Sequence, residues 1–283
     1  MKKLFIAVAT ICTLVSGCTD EEASENTDAH AKTSSVSYVC IGMETSSRFG
    51  SCSGCKYDSD RMHALLRDTF KYNGVLLQSE KATKAAVVAA IQSAITNTPS
   101  TGLFILYYSG HGGSELLNSS NTAEPDGADD ADEYLCLYDT YLLDDEVWDM
   151  ISKCKGRVFL VFDCCHAQTM FRSVASDLLL QKGLAIPLEE HLVASSGFNL
   201  KPVAVALGVD DSIKMLCWSG CTEKEYSYGN KFGGVMTNAL LAGWKKGITY
   251  NDLWKHITSY VTALYTQHPK ATQYGGVFEE AFR

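Results

Sequence analysis

Leu103-Phe104-Ile105-Leu106-Tyr107-Tyr108-Ser109-Gly110-His111-Gly112-Gly113 and Val158-Phe159-Leu160-Val161-Phe162-Asp163-Cys164-Cys165-His166 are the two stretches whose reading decides the fold. Each begins with an unbroken run of large apolar residues, the composition of a strand covered on both faces. Each then gives way to side chains that carry chemistry. If both runs are parallel core strands, His111 and Cys165 emerge at the same carboxyl edge of the sheet, where open α/β folds place their sites. The 54 residues that separate them in sequence then shrink to a short distance. Glycines on both sides of His111 are expected to let the backbone turn sharply there and come close to a ligand.

Outward from these stretches, short apolar runs alternate with amphipathic ones. Strands are expected at 36–41, 75–78, 103–108, 134–138, 158–162 and 215–218, and helices at 58–70, 84–95, 144–154, 234–244 and 250–264. Thr83 suits the N-cap of the second helix, standing just before Ala85, Val87, Val88 and Ile91. The alternation predicts a three-layer α/β/α sandwich with a mostly parallel central sheet, in one domain over 36–283. Residues 167–214 carry no clear element, and so long a connection inside a compact domain is usually functional or mobile.

The 283 residues are 46% hydrophobic and 20% charged, the composition of an ordinary globular enzyme. A formal net charge of −9 without a Lys/Arg cluster argues against a nucleic-acid partner and for a basic one. Met1, Lys2 and Lys3 precede an apolar run from Leu4 to Val15, too short to span a bilayer and right for a signal peptide over 1–17. Val15-Ser16-Gly17-Cys18 resembles the lipobox of bacterial lipoproteins. That resemblance implies lipidation of Cys18, membrane attachment through the lipid, and residence in the cell envelope: outer membrane, cell surface or periplasm. A plain signal peptide with Cys18 near the cut is the alternative. Residues 18–35, polar and without hydrophobic period, read as a flexible tether.

Eleven cysteines raise the question of disulfides. Cys40, Cys136, Cys154 and Cys217 lie in or beside apolar runs, where cysteine acts as a small buried hydrophobe, so a disulfide framework is not expected. Cys52-Ser53-Gly54-Cys55 is a lone CxxC, too few ligands for a structural zinc site.

Tyr-Ser-Gly-His-Gly at 108–112 followed by Asp-Cys-Cys-His-Ala at 163–167 resembles the His and Cys motifs of metacaspases and related caspase-fold peptidases. Cys55-Lys56-Tyr57-Asp58, Asp144-Asp145-Glu146, Trp218-Ser219-Gly220-Cys221 and Gln267-His268-Pro269 extend the resemblance in the same order over nearly everything from Val36 onward. It implies a cysteine endopeptidase with Cys165 as nucleophile and His111 as general acid/base, and an oxyanion hole from the backbone N–H groups of Gly112 and Cys165. The Asp-x-Cys-His pattern selects Cys165 over Cys164, which alternation turns to the other face. His166 is expected to shape the turn.

The same resemblance maps an acidic substrate pocket onto Asp58 and Asp163, with Cys55 and Ser109 beside them, and so implies cleavage after Arg or Lys in a peptide or protein substrate. Asp58 also suits a helix N-terminus as a carboxylate favoured by the dipole. No cofactor is required. Calcium is implied at Asp132, Asp144 and Asp145 within a stretch, 124–146, that has ten acidic and no basic residues, although Arg172 stands at the fourth ligand position. A solvated acidic loop is the plain reading of that stretch. Arg172 and Lys182 are candidate self-cleavage sites, and the resemblance favours a monomer. Two other classes compete: a non-catalytic surface lipoprotein that keeps the fold as a binding module, and a binding protein stabilised by metal or disulfides.

Overall fold

The computed structural model describes residues 35–116, 131–166, 214–221, 226–274 and 282, and for 114–116, 131–132, 165–166 and 272–274 the backbone alone. The expected signal peptide, Cys18, and the connection bearing Arg172 and Lys182 lie outside the described residues, as do the side chains of Asp132 and Cys165. Ser34–Arg283 forms one compact unit.

In chain order the unit runs β1 (Val36–Gly42), β2 (Thr45–Ser46), β3 (Gly50–Ser51), α1 (Cys55–Ala64), β4 (Asn73–Gln78), α2 (Lys84–Thr96), β5 (Leu103–Leu116), β6 (Ala131–Cys136), β7 (Tyr141–Leu143) and α3 (Asp144–Ile151). It continues with β8 (Arg157–His166), β9 (Met215–Ser219), β10 (Gly229–Asn230), β11 (Gly233–Gly234), α4 (Val235–Gly243), α5 (Tyr250–Leu264) and β12 (Lys270–Tyr274). The main sheet has the order β12-β9-β8-β5-β1-β4, with β6 added to the outer half of β5 and β7 to β6. The pairs β4/β1, β1/β5, β5/β8 and β8/β9 are parallel, whereas β12 lies antiparallel to β9.

The apolar runs are continuous because both sheet faces are covered. Ile105, Tyr107, Phe159 and Val161 point to one core, with Met62 and Leu66 from the α1 side, Met236 and Leu240 from α4, and Leu253, Ile257 and Val261 from α5. Their neighbours Phe104, Leu106, Tyr108, Leu160 and Phe162 point to the other, with Val87 and Ile91 from α2 and Val147 and Ile151 from α3. Each such side chain contributes about 1.5–3 kcal/mol by leaving water. The result is the expected α/β/α sandwich. Thr83 caps α2, its hydroxyl accepting the Ala86 N–H at 3.3 Å, and Thr249 does the same for α5 through the Asp252 N–H at 3.0 Å.

Several boundaries differ from the sequence reading. Helix α1 starts earlier than 58, at Cys55, and closes in a π-helical turn over Leu65–Thr69. Strand β6 occupies 131–136 rather than 134–138, and α3 stops at Ile151 rather than 154. Strand β12 was not expected at all: its polar sequence is recruited by the free edge of β9. Among the described residues no helix is long and apolar enough to cross a membrane.

Candidate active site

Strands β5 and β8 do not stop where their apolar runs stop. They continue through the reactive motifs as one parallel ladder, pairing Ser109 with Asp163, Gly110 with Cys164, His111 with Cys165 and Gly112 with His166. His111 and the backbone of Cys165 therefore stand opposite each other on adjacent strands, at the same carboxyl edge. The expected sharp turn at His111 is absent: Gly110, Gly112 and Gly113 are strand residues without positive φ. His166, expected in a turn, is the last residue of β8. The glycines serve close approach instead. A Cβ on Gly110 would collide with the Tyr108 hydroxyl, and one on Gly113 would lie 2.6 Å from the Tyr134 hydroxyl. Cys164 is buried in the core on the α2/α3 face, as alternation requires.

His111 is 7% exposed and is held from two sides. Its Nε2 lies 3.1 Å from the Ser51 carbonyl oxygen; a carbonyl only accepts, so the proton of this contact sits on Nε2. The Tyr108 hydroxyl donates to the His111 carbonyl at 2.6 Å and lies 2.7 Å from that of Cys136. Ser51 precedes a disulfide between Cys52 and Cys55, so the lone CxxC is neither a zinc half-site nor a pair of free thiols. The loop it closes is tied down by Glu44, whose Oε2 accepts the Gly54 and Lys56 N–H groups at 3.0 and 3.1 Å. Cys55 is thus a buried, oxidised residue at the start of α1, the helix that carries Asp58.

Asp58 and Asp163 are both fully buried. Asp58 Oδ2 accepts from the Ser109 hydroxyl at 2.9 Å and the Gly234 N–H at 2.8 Å, while its Oδ1 meets Arg61 Nη2 at 2.9 Å. Asp163 Oδ1 accepts from the Ser227 hydroxyl at 2.6 Å, and Oδ2 from the Thr237 N–H at 3.0 Å and hydroxyl at 2.6 Å. The Gly233-Gly234 backbone passes directly over both carboxylates. A Cβ on Gly233, which has φ +99°, would collide with Asp58, and one on Gly234 with Asp163. Tyr107 lies beneath, 2.7 Å from the Thr237 hydroxyl. Its burial, then the negative charges of Asp58 and Asp163, push its phenol well above the ordinary value, so it stays a neutral hydroxyl.

Ser109, Asp58 and Asp163 thus come together as the sequence reading expected. Arg61, Ser227 and Thr237 were not foreseen as their partners. Arg61 carries a readable signal, an i,i+3 spacing from Asp58 on one helix. Thr237 shows only as a hydroxyl beside Asn238 in the first turn of a mostly apolar helix, and Ser227 gives no local signal. Of the expected calcium ligands, Asp144 is buried at the first turn of α3, where its Oδ1 accepts the Asp145 N–H at 3.0 Å. Among the described residues no group of three His, Cys, Asp or Glu side chains is arranged to hold a metal ion.

The profile of the caspase-domain family matches residues 39–277. Two similar solved structures share the fold: a Geobacter sulfurreducens protein (24% identity, TM-score 0.62, covering 87% of this chain and 97% of that one) and caspase-1 from Spodoptera frugiperda (13%, TM-score 0.51, 85% and 86%). No curated protein matches the chain.

Proposed function

Because the chain belongs to the caspase-domain family, we propose that it is a cysteine endopeptidase of metacaspase type that cleaves after Arg or Lys, with Cys165 as nucleophile and His111 as acid/base. The observation that carries this reading is the ladder that pairs His111 with Cys165 and, two residues earlier, Ser109 with Asp163. One backbone register serves both the reacting pair and the substrate carboxylate.

The chemistry follows from the groups present. The Cys165 sulfur attacks the scissile carbonyl carbon, and the carbonyl oxygen takes up the negative charge facing the N–H groups of Gly112 and Cys165. One such donor lowers the barrier by about 3 kcal/mol. The thiol proton passes to His111 as the sulfur attacks; the C–N bond then breaks, and His111 gives that proton to the departing amine. With its Nε2 proton engaged by Ser51, Nδ1 is the nitrogen that trades protons. Water next attacks the thioester carbon, His111 takes its proton, and sulfur leaves. No step needs a resident metal. Calcium at Asp132, Asp144 and Asp145 would act as a stimulant outside this sequence, which a comparison of rates in calcium and in chelator tests.

Selectivity for a cation rests on Asp58 and Asp163, two buried carboxylates against the Gly233-Gly234 backbone, with Asp163 two residues before Cys165 in the shared ladder. Export, lipid attachment through Cys18 and a tether over 18–35 would hold the domain at a membrane surface, as a monomer facing basic peptide segments. Several acyl chains on one residue make such attachment effectively permanent, since each buried methylene contributes about 0.8 kcal/mol. Self-cleavage after Arg172 or Lys182 would give two fragments from wild type and one intact band from Cys165→Ala.

The deciding experiment is labelling with a peptidyl-Arg electrophile. Modification is expected at Cys165, lost in His111→Ala and Asp163→Ala. Turnover of no basic fluorogenic peptide, with or without calcium, would instead favour the binding module.

A further inference from the structure

Gln267 is fully buried in the segment between α5 and β12, remote in sequence from both reactive motifs. Its side-chain amide is used at both ends. Oε1 accepts the Tyr228 N–H at 3.0 Å, while Nε2 donates to the Gly220 carbonyl at 2.6 Å and to the Ser227 hydroxyl oxygen at 3.2 Å. The donor at one end and the carbonyl at the other leave one orientation of the amide that satisfies all three contacts.

Ser227 has a single hydroxyl proton, and it goes to Asp163 Oδ1 at 2.6 Å. The chain of bonds therefore has a direction: Gln267 N–H to Ser227 oxygen, Ser227 O–H to the Asp163 carboxylate. Hydrogen bonds in series polarise one another, so the first strengthens the second. Gly220 makes room for this: a Cβ there would lie 2.6 Å from the Ser227 oxygen. Asp163 Oδ2 is fixed by Thr237 on α4, so the bond from Ser227 to Oδ1 sets the rotation of the carboxylate plane.

We infer that Gln267 is a positioning residue for substrate selectivity: through Ser227 it fixes the plane in which Asp163 meets a cationic side chain. The inference rests on the reading of Asp163 as a substrate carboxylate. Without the Gln267 amide, the Gly220 carbonyl loses its donor and competes with Asp163 for the Ser227 proton. The carboxylate then loses its orientation while the reacting pair on β5 and β8 keeps its register.

The test compares full-length wild type, Gln267→Leu, Gln267→Glu and Ser227→Ala on two fluorogenic peptides that differ only in Arg or its neutral isostere citrulline before the scissile bond. The ratio of the two kcat/KM values is the readout, because a loss of folded enzyme lowers both values equally. Each variant is expected to lower the ratio roughly tenfold, the weight of one hydrogen bond to a charged group, through KM for the Arg peptide. Gln267→Leu combined with Ser227→Ala is expected to fall no further, since the two act on one bond. Should Gln267→Leu not fold, the nearly isosteric Gln267→Glu and Ser227→Ala carry the comparison. A wild-type ratio near one would remove the pocket assignment itself. A wild-type preference for Arg that survives in the Gln267 variants, or additive losses in the double variant, would remove the role of Gln267 alone.

Discussion

Arg61 already holds one oxygen of Asp58: its Nη2 lies 2.9 Å from Oδ1, on the same helix and one turn on. The guanidinium also donates to Asn238 Oδ1 at 2.7 Å and lies 4.3 Å from the Tyr57 ring centroid, so it is fixed on three sides. A carboxylate proposed as a receptor for cations thus already meets one from its own chain.

Removing that cation leaves a fully buried carboxylate without its ionic partner. Breaking a buried pair from one side costs about 3–5 kcal/mol, and the 29% exposure of the Arg61 side chain reduces this. Arg61→Ala is expected to lose about 2 kcal/mol in urea denaturation, with Asp58→Asn/Arg61→Ala recovering part of it. An Arg61→Ala midpoint equal to wild type would mean that the pair contributes nothing.

Two glycines give a contrast in the same assay. A Cβ at Gly234 would push into the Asp163 carboxylate, whereas Gly247, with φ +81°, has open space around it. Gly234→Ala is expected to lose about 1–3 kcal/mol through overpacking and most activity on Arg peptides. Gly247→Ala is expected to show only backbone strain of about 1 kcal/mol, at full activity. Equal activity losses in the two would refute the close approach at Gly234.

The Cys52–Cys55 disulfide closes a very short loop, so chain entropy limits its contribution to about 2 kcal/mol. Its larger effect should fall on the neighbouring His111. Cys52→Ser/Cys55→Ser is expected to shift the pH profile of kcat/KM, because the Ser51 carbonyl that holds Nε2 is no longer anchored. Wild type and variant are compared under the same mild reductant, and superimposable profiles would dissociate the loop from the imidazole.

His63 provides a pH signature of folding. Burial first, then the Arg67 charge, lower its pKa below 6.5, while its Nδ1 lies 2.9 Å from the Tyr38 hydroxyl. Between that lowered value and the unfolded value near 6.5, the unfolded chain binds more protons than the folded one. This contribution to stability is therefore present above about pH 6.5 and is lost as the pH falls through that range. Urea midpoints at pH 7.5 and 5.5 should differ more for wild type than for His63→Gln.

How much of this could be read from the sequence follows from what each part depends on. Leu103–Tyr108 and Val158–Phe162 were readable because burial on both faces demands unbroken apolar runs. The continuation of both strands was not, since glycines and polar residues have little strand preference of their own and are held there by their neighbours. The same holds for Lys270–Tyr274, a strand only by virtue of its partner. Asp58, Ser109 and Asp163 carried enough family pattern to be grouped in advance. Ser227 reaches Asp163 across 64 residues of sequence, and Gln267 reaches Ser227 across 40, through bonds no local spacing announces.

The shared ladder of β5 and β8 also says what kind of change this enzyme can tolerate. Exchanging one side chain for another leaves the count of backbone units intact, but deleting or inserting a single residue between Leu103 and Ser109 would set His111 against the wrong neighbour and turn it to the opposite face. Variation by length is thereby confined to the connections, and a deletion scan across the two strands should read as an all-or-none map of the catalytic edge.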